Sequence, residues 1–376
     1  MTAEFNSTRL KDARLLRGLS QSEVAEFLQV SKQAISQYEI GTAKPRSDIE
    51  IKMAEILDMP LSYFSMPDTD LIKTPIFFRK RKTSTKKNIE TYKVYIKWVV
   101  DIYLYLNDII KLPKVNLIRK CKEHYTNEEI AQIAMEVRRS WGLGNGPISN
   151  LTLLLENNGF IIAKTPLKAE KVDACSVYFT CNDMKKNRPM IFLTSSKTAV
   201  RSRRDLAHEL AHQVLHSWMD KETFELNKNQ IEEEAEVFAS CFLMPPEAME
   251  REVYSVRSVE SLIYMKRRWK ASALSIMYHL HDLNLLSDTL FEKFKDKAIK
   301  NLRWLKKEPL DDVLEHEHPE LIKDAISLLV NANIKTACDI SAELSFPTKD
   351  LSELCGLPLD FFNQVEFGKP MLRIVK

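Results

Sequence analysis

Glycine is scarce in this chain and contributes only 8 of its 376 residues. With so few of the residues that interrupt regular helices, the composition favours a helix-rich protein. Six cysteines are scattered without a C-x-x-C pair, which argues against a cysteine zinc knot and against a dense disulfide framework. No run of some 18 apolar residues is present, so no membrane-spanning helix is predicted.

The charge balance excludes a polycation. The chain has 55 basic and 52 acidic residues, a net charge of +3, so any nucleic-acid-binding surface must be local. A hydrophobic content of 44% and a charged content of 28% are typical of a globular protein. The length predicts two or three domains. Because the N-terminus lacks the apolar core of a signal peptide, we expect a cytoplasmic protein without a membrane partner.

The clearest chemical motif is His-Glu-x-x-His, at residues 208–212. Residues four apart lie on one face of a helix, so His208 and His212 are spaced to bind one Zn²⁺ ion through their imidazoles. Glu209 would lie beside the open side of the metal, where a carboxylate can take a proton from zinc-bound water. The alternative, that these are surface polar residues, is disfavoured because the full motif is rare by chance.

Downstream, residues 231–245 predict an acidic, amphipathic helix that ends at a Pro-Pro pair. This helix offers carboxylates as a third ligand. His216 lies one turn beyond His212, roughly 5 Å further along the helix axis. We therefore expect His216 to support the site from outside rather than to bind the metal.

Residues 7–66 predict five short helices. Ser20 and Glu23 have the spacing of a capping box, and Ser47 and Glu50 repeat it. Two short helices joined by a tight turn, the second rich in Lys, Gln and Ser on its outer face, fit a helix-turn-helix. The alternative is a small helical bundle that binds protein.

Two segments, 19–25 and 30–41, followed by Pro45, resemble the XRE/Cro family of phage-repressor-like helix-turn-helix proteins. Glutamine reads adenine through two hydrogen bonds, lysine reads guanine or binds phosphate, and a side chain at a helix N-terminus can contact phosphate. The candidate contacts to double-stranded operator DNA are Gln21, Lys32, Gln33, Ser36 and Gln37. Proteins of this helix-turn-helix type are expected to form homodimers.

Residues 73–98 are strongly basic, with Glu90 as the single acid. The segment is either a solvated linker or an arm that contacts DNA phosphates, and the sequence favours neither. From residue 89 to 118, apolar side chains recur at helical spacing, which predicts a connecting helix or helical pair.

Three runs predict strands: 160–164, 174–180 and 189–194, with a hairpin loop at 181–187. They indicate a small antiparallel sheet directly before the His-Glu-x-x-His helix, which is the scaffold of zincin peptidases. An edge strand there commonly binds the substrate backbone by strand addition. Asp173, Ser176 and Tyr178 are candidates for the substrate side of the cleft.

Residues from about 125 to 250 resemble the ImmA/IrrE family of metallopeptidases. The matching pieces are 141–148, 172–176, 188–193, 204–212 and 232–245. Ala211 and Cys175 stand where the family usually has Gly and Phe. The resemblance implies a zinc endopeptidase of narrow specificity that cleaves a helix-turn-helix repressor. It also implies Glu232, three residues before Ala235, as the third ligand; Glu233 and Glu236 remain alternatives, Glu236 either as a ligand or as a partner that orients a histidine.

The expected fold is mainly α with a small antiparallel β-sheet. The expected units are a DNA-binding domain at 1–70, a basic linker with connecting helices at 71–124, a zincin-like peptidase domain at 125–250, post-catalytic helices at 251–300 and a C-terminal helical domain at 301–376. Two rival functions remain open. The zincin-like domain would sense a ligand or partner without proteolysis, or the chain would be an antitoxin that binds a toxin.

Overall fold

The computed structural model describes residues 4–68, 77–80, 86–165, 172–180, 183–194 and 198–363. Within these ranges the chain folds into α-helices around one small sheet, which confirms the mainly α prediction. Among the described helices, none combines the length and the apolar character that crossing a membrane requires.

The N-terminal bundle has the five predicted helices. They are α1 (Ser7–Leu16), α2 (Gln21–Leu28), α3 (Lys32–Ile40), α4 (Ser47–Ile56) and a 3₁₀ turn (Leu61–Ser65). The Ser20 capping box is confirmed, because the Ser20 hydroxyl accepts from the Glu23 amide at 3.2 Å and the Glu23 carboxylate accepts from the Ser20 amide at 2.7 Å. The box predicted at Ser47 is wrong. The helix starts one residue earlier than expected, with Arg46 as an N-cap that makes no side-chain hydrogen bond.

A single helix, α5 (Lys86–Ile109, 24 residues), contains the second half of the basic segment and continues beyond it. Its side chains are buried on nearly every face, which is the pattern of a helix inside a core rather than of a solvated linker. One side of α5 packs against the N-terminal bundle, where the Trp98 indole donates to the Tyr63 hydroxyl at 3.2 Å. The other side reaches the sheet, where the Tyr92 hydroxyl donates to the Phe192 carbonyl at 3.2 Å. Of the basic segment, residues 73–76 and 81–85 lie outside the described residues.

The described strands form one sheet in the order β1-β3-β4-β2. They are β1 (Phe77–Lys80), β2 (Ile161–Thr165), β3 (Val172–Phe179) and β4 (Arg188–Thr194). The β3–β4 hairpin is antiparallel as predicted, but β2 runs parallel to β4. The sheet is therefore mixed. β2 pairs with β4, the second strand of the hairpin, and not with β3. Residues 77–80 were not expected to form a strand. Of the predicted hairpin loop, Cys181 and Asn182 lie outside the described residues.

One face of this sheet shares a core with the bundle and α5, through Ile161, Cys175 and Phe192. The other face, through Ile162 and Ile191, shares a second core with the central helices. These are α6 (Asn127–Ser140), α7 (Leu151–Asn157), α8 (Ala199–Ala211), α10 (Lys228–Leu243), α11 (Pro246–Glu252), α12 (Ser261–Trp269), α13 (Ala273–Asp282) and α14 (Asp288–Asp296). Helix α9 (Lys221–Leu226) contributes Phe224 to a small separate cluster. The capping box predicted at Thr126 and Glu129 is confirmed at the start of α6.

An irregular segment between α5 and α6 passes close to Gly159. A Cβ atom on Gly159 would lie 2.6 Å from the Val115 Cα, and its φ of +87° is strained for other residues. Glycine is therefore required at this crossing. Further along, the amide of Lys120 donates to the Val214 carbonyl at 2.8 Å, which fixes this segment beside the His-Glu-x-x-His helix.

The C-terminal helices are α15 (Leu321–Asn331), α16 (Ala337–Leu344) and α17 (Thr348–Cys355). They pack against the N-terminal half of the chain. The Phe346 ring stacks on Trp98 at 4.4 Å between centroids, and Asp350 forms a 2.8 Å ion pair with Arg17. The turn between α16 and α17 begins at a left-handed residue, Ser345, as the α2–α3 turn does at Gln29. The two helix pairs therefore have the same spacing. Residues 364–376 lie outside the described residues.

Candidate metal centre and DNA-binding surface

Helix α8 carries the His-Glu-x-x-His motif, as the spacing predicted. His208 and Glu209 are fully buried and His212 is 2% exposed. At His212 the helix widens into a π-helical turn (His212–His216), which the sequence did not suggest. Such turns are rare and occur often at functional sites. This turn lets both His212 and His216 point inward.

Helix α10 packs on α8 and brings Glu232 to the two histidines. The Nε2 atoms of His208 and His212 lie 3.1 Å apart. The Glu232 carboxylate oxygens lie 3.4 Å from the first of these nitrogens and 3.9 Å from the second. Ligands bound tetrahedrally to zinc at about 2.0–2.2 Å are separated by roughly 3.4 Å. The three side chains thus fit one zinc ion in both chemistry and spacing.

Glu236 lies one turn beyond Glu232 and meets the other nitrogen of His208. One of its oxygens is 3.4 Å from His208 Nδ1, while the other accepts from Arg204 Nε at 2.9 Å. Arg204 also donates to the Ser275 hydroxyl. Because Glu236 faces the back of the imidazole and is paired with Arg204, the geometry favours an orienting role over direct ligation. Glu233, in contrast, is exposed.

His216 supports His212 in a similar way. Its Nδ1 lies 3.0 Å from His212 Nδ1, and its Nε2 lies 3.0 Å from Glu234. Burial lowers the pKa of His216, which favours its neutral form. A carboxylate only accepts, so His216 Nε2–H donates to Glu234 and His216 Nδ1 accepts from His212 Nδ1–H. His212 Nε2 is then left with a lone pair directed at the candidate metal position.

Glu234 is held in turn by the segment that precedes α6. The Tyr125 amide donates to its carboxylate at 3.2 Å, and so does the Gln230 side chain. Neither Arg204 nor Glu234 was identified from the sequence as a partner of the histidines. Arg204 lies one helical turn before His208, so the helical spacing itself was a usable signal.

The sheet-side candidates lie on β3. Ser176 is fully buried, and its hydroxyl has no hydrogen-bond partner among the described residues. Strand alternation places it on the face opposite Cys175, towards α8. The Tyr178 ring is covered by the Arg119 guanidinium at 3.5 Å. Asp173 belongs to the backbone of β3, and its side chain lies outside the described part.

The candidate DNA contacts on α3 form an accessible surface. Lys32, Gln33 and Gln37 are exposed and Ser36 is half-buried. Gln21 differs, because its amide donates at 2.8 Å to Glu39. That carboxylate also accepts from Arg14 Nη2 at 3.0 Å, inside the bundle. Four of the five predicted residues therefore lie together on the outer face of α3, and Gln21 helps to hold α2 against α3.

Two regions of the chain match known families. Residues 10–64 match the helix-turn-helix family, and residues 159–281 match the M78 peptidase family, described as the IrrE N-terminal-like domain. The second region contains His208, His212 and Glu232, and it starts and ends later than the predicted limits of 125–250. No curated protein matches the chain. The predicted fusion of a helix-turn-helix domain with an ImmA/IrrE-type domain is confirmed.

Proposed function

We propose that this chain is a DNA-binding regulator with zinc-dependent endopeptidase activity, whose substrate is a helix-turn-helix repressor or a related regulatory protein. The observation that supports the activity is the convergence of His208, His212 and Glu232, whose ligand atoms all lie within 4.8 Å of one another. Glu209 follows His208 directly and is fully buried. This is the donor set and the base of a metallopeptidase.

In this proposal His208, His212 and Glu232 hold the zinc, which when bound polarises the scissile carbonyl and acidifies water. The chain's own groups do the rest. Glu209 accepts a proton from the attacking water and delivers it to the leaving nitrogen. Glu236 fixes the ring of His208, and the His216–Glu234 pair fixes the tautomer of His212. Arg204 keeps Glu236 in place through its ion pair.

The substrate class rests on the family resemblance together with the helix-turn-helix domain. A protein that reads an operator through α3 encounters other proteins bound at the same DNA. A repressor at that site is then presented to the peptidase at high local concentration. The toxin partner and the homodimer stay predictions.

The test compares the native chain with Glu209→Gln, both loaded with zinc, on the repressor-like protein encoded nearest its gene. We expect the variant to keep stoichiometric zinc and to lose cleavage by about 10²–10⁴-fold, the contribution of a general base. Glu233→Gln is the matched control and should cleave at the native rate, because Glu233 is exposed. Stoichiometric zinc without cleavage by the native chain would instead favour a sensor or an antitoxin.

A further inference from the structure

We propose that strand β1 of the chain itself occupies the sheet edge at which a protein substrate would pair, so that the peptidase site stays closed until β1 leaves. This inference rests on the proposed peptidase function. The occupant is a defined segment, Phe77–Lys80, which lies between the DNA-binding bundle and α5.

The outer edge of β3 is the sheet edge at which a substrate would pair. β3 packs against both α8 and the π-helical turn that carries His212 and His216. On its inner side β3 pairs with β4, so its outer backbone groups would be free if β1 were absent. A row of free amides and carbonyls at a sheet edge is a template for an extended peptide. β1 takes this position as an antiparallel strand.

The register places β1 directly beside the middle of β3. Phe77 pairs with Ser176 and Phe78 pairs with Cys175. β3 packs against α8, the helix that carries Glu209. The Ser176 hydroxyl is fully buried and has no partner among the described residues.

Among the catalytic groups, His208 and Glu209 have no exposed surface, whereas Glu232 is 27% exposed. The Phe224 ring of α9 lies 6.2 Å from the His212 ring. A peptide carbonyl therefore cannot reach Glu209 without a displacement. β1 is suited to be the part that moves, because it has only four residues, lies at a sheet edge and is interrupted by a register shift between Phe78 and Lys80. Short edge elements with few hydrogen bonds open at the lowest cost.

The experiment releases β1 in the full-length, zinc-loaded chain with the double substitution Phe77→Pro and Phe78→Pro. Proline removes the backbone N–H donors that hold a strand in a ladder. The matched control is Phe77→Tyr and Phe78→Tyr, which keeps both donors. Two rates are measured: cleavage of β-casein, an unfolded probe protein, and removal of zinc by the chelator 4-(2-pyridylazo)resorcinol. Circular dichroism establishes that each variant is folded.

We expect the proline variant to show about tenfold or greater increases in both rates, since the loss of one or two hydrogen bonds shifts a closed population by that order. The tyrosine variant should match the native chain. A folded proline variant with native rates of zinc removal and of casein cleavage would overturn the proposal. Faster zinc removal without cleavage of any protein would support occlusion by β1 while contradicting the peptidase function. Glu209→Gln added to the proline variant should abolish cleavage and leave zinc removal fast.

Discussion

The candidate metal centre and the outer face of α3 differ in how their residues are held. At the candidate metal centre, His208 and His212 are buried and Glu232 is 27% exposed, and each histidine has a second partner behind it. On α3, the side chains of Lys32, Gln33 and Gln37 are exposed. The first site is assembled from two helices and a neighbouring segment, whereas the second is one face of one helix.

This difference determines how each site should respond to change. Each metal ligand supplies one of only three protein bonds to the ion, so its loss costs most of the metal affinity. An exposed recognition residue contributes one contact among several, and its loss removes only that contact. Substitutions at the candidate metal centre should therefore weaken zinc binding more than substitutions on α3 weaken DNA binding. A matched control variant at each site tests this difference.

The largest effect is expected for Glu232→Gln. Loss of a charged ligand should weaken zinc binding by more than a hundredfold, beyond the 10–100-fold cost of losing a supporting partner. A competitive titration with a zinc chelator measures this. Glu233→Gln changes the adjacent but exposed glutamate and should leave the affinity unchanged. Equal losses in the two variants would show that general acidity of α10, rather than ligation, holds the metal.

A smaller effect is expected for Glu236→Gln. Because Glu236 contacts the back of His208 and pairs with Arg204, its loss should weaken zinc binding by about 10–100-fold. Arg204→Ala should reproduce part of this loss, since it frees Glu236. The same chelator titration applies. A loss as large as that of Glu232→Gln would identify Glu236 as a ligand.

The smallest effect is expected on DNA. Gln33→Ala should weaken binding to an operator selected from random duplexes by about 1 kcal/mol, roughly fivefold, the low end for a base contact. Lys349 holds the same position in α17, where the turn has the same spacing, and it is also exposed. Lys349→Ala should have no effect in the same fluorescence anisotropy titration. An equal loss at Lys349 would mean that the C-terminal helix pair also contacts DNA.

Local signals allowed much of this structure to be predicted from sequence. The Ser20 and Thr126 capping boxes set helix starts within a few residues, and the four-residue spacing of His208 and His212 placed both side chains on one side of α8. Long-range pairing was harder to predict. The parallel β2–β4 pairing could not be predicted, because the sequence does not show which strand of the β3–β4 hairpin lies beside β2. Strand β1 could not be predicted either, because its segment was recognisable only by its basic residues. The π-helical turn and the Arg204–Glu236 pair depend on packing between α8 and α10.

Helix α5 also limits how such a gene can be rearranged. Its buried side chains contact the N-terminal bundle, the sheet and Phe346 in the last part of the chain. A recombination event that exchanged the DNA-binding module near residue 70 would leave the new module facing an apolar surface shaped for the old one. A viable exchange must therefore include α5 and the C-terminal helices, which requires crossovers at two distant points of the gene. DNA-binding specificity should therefore change by point substitution on α3 more readily than by domain shuffling.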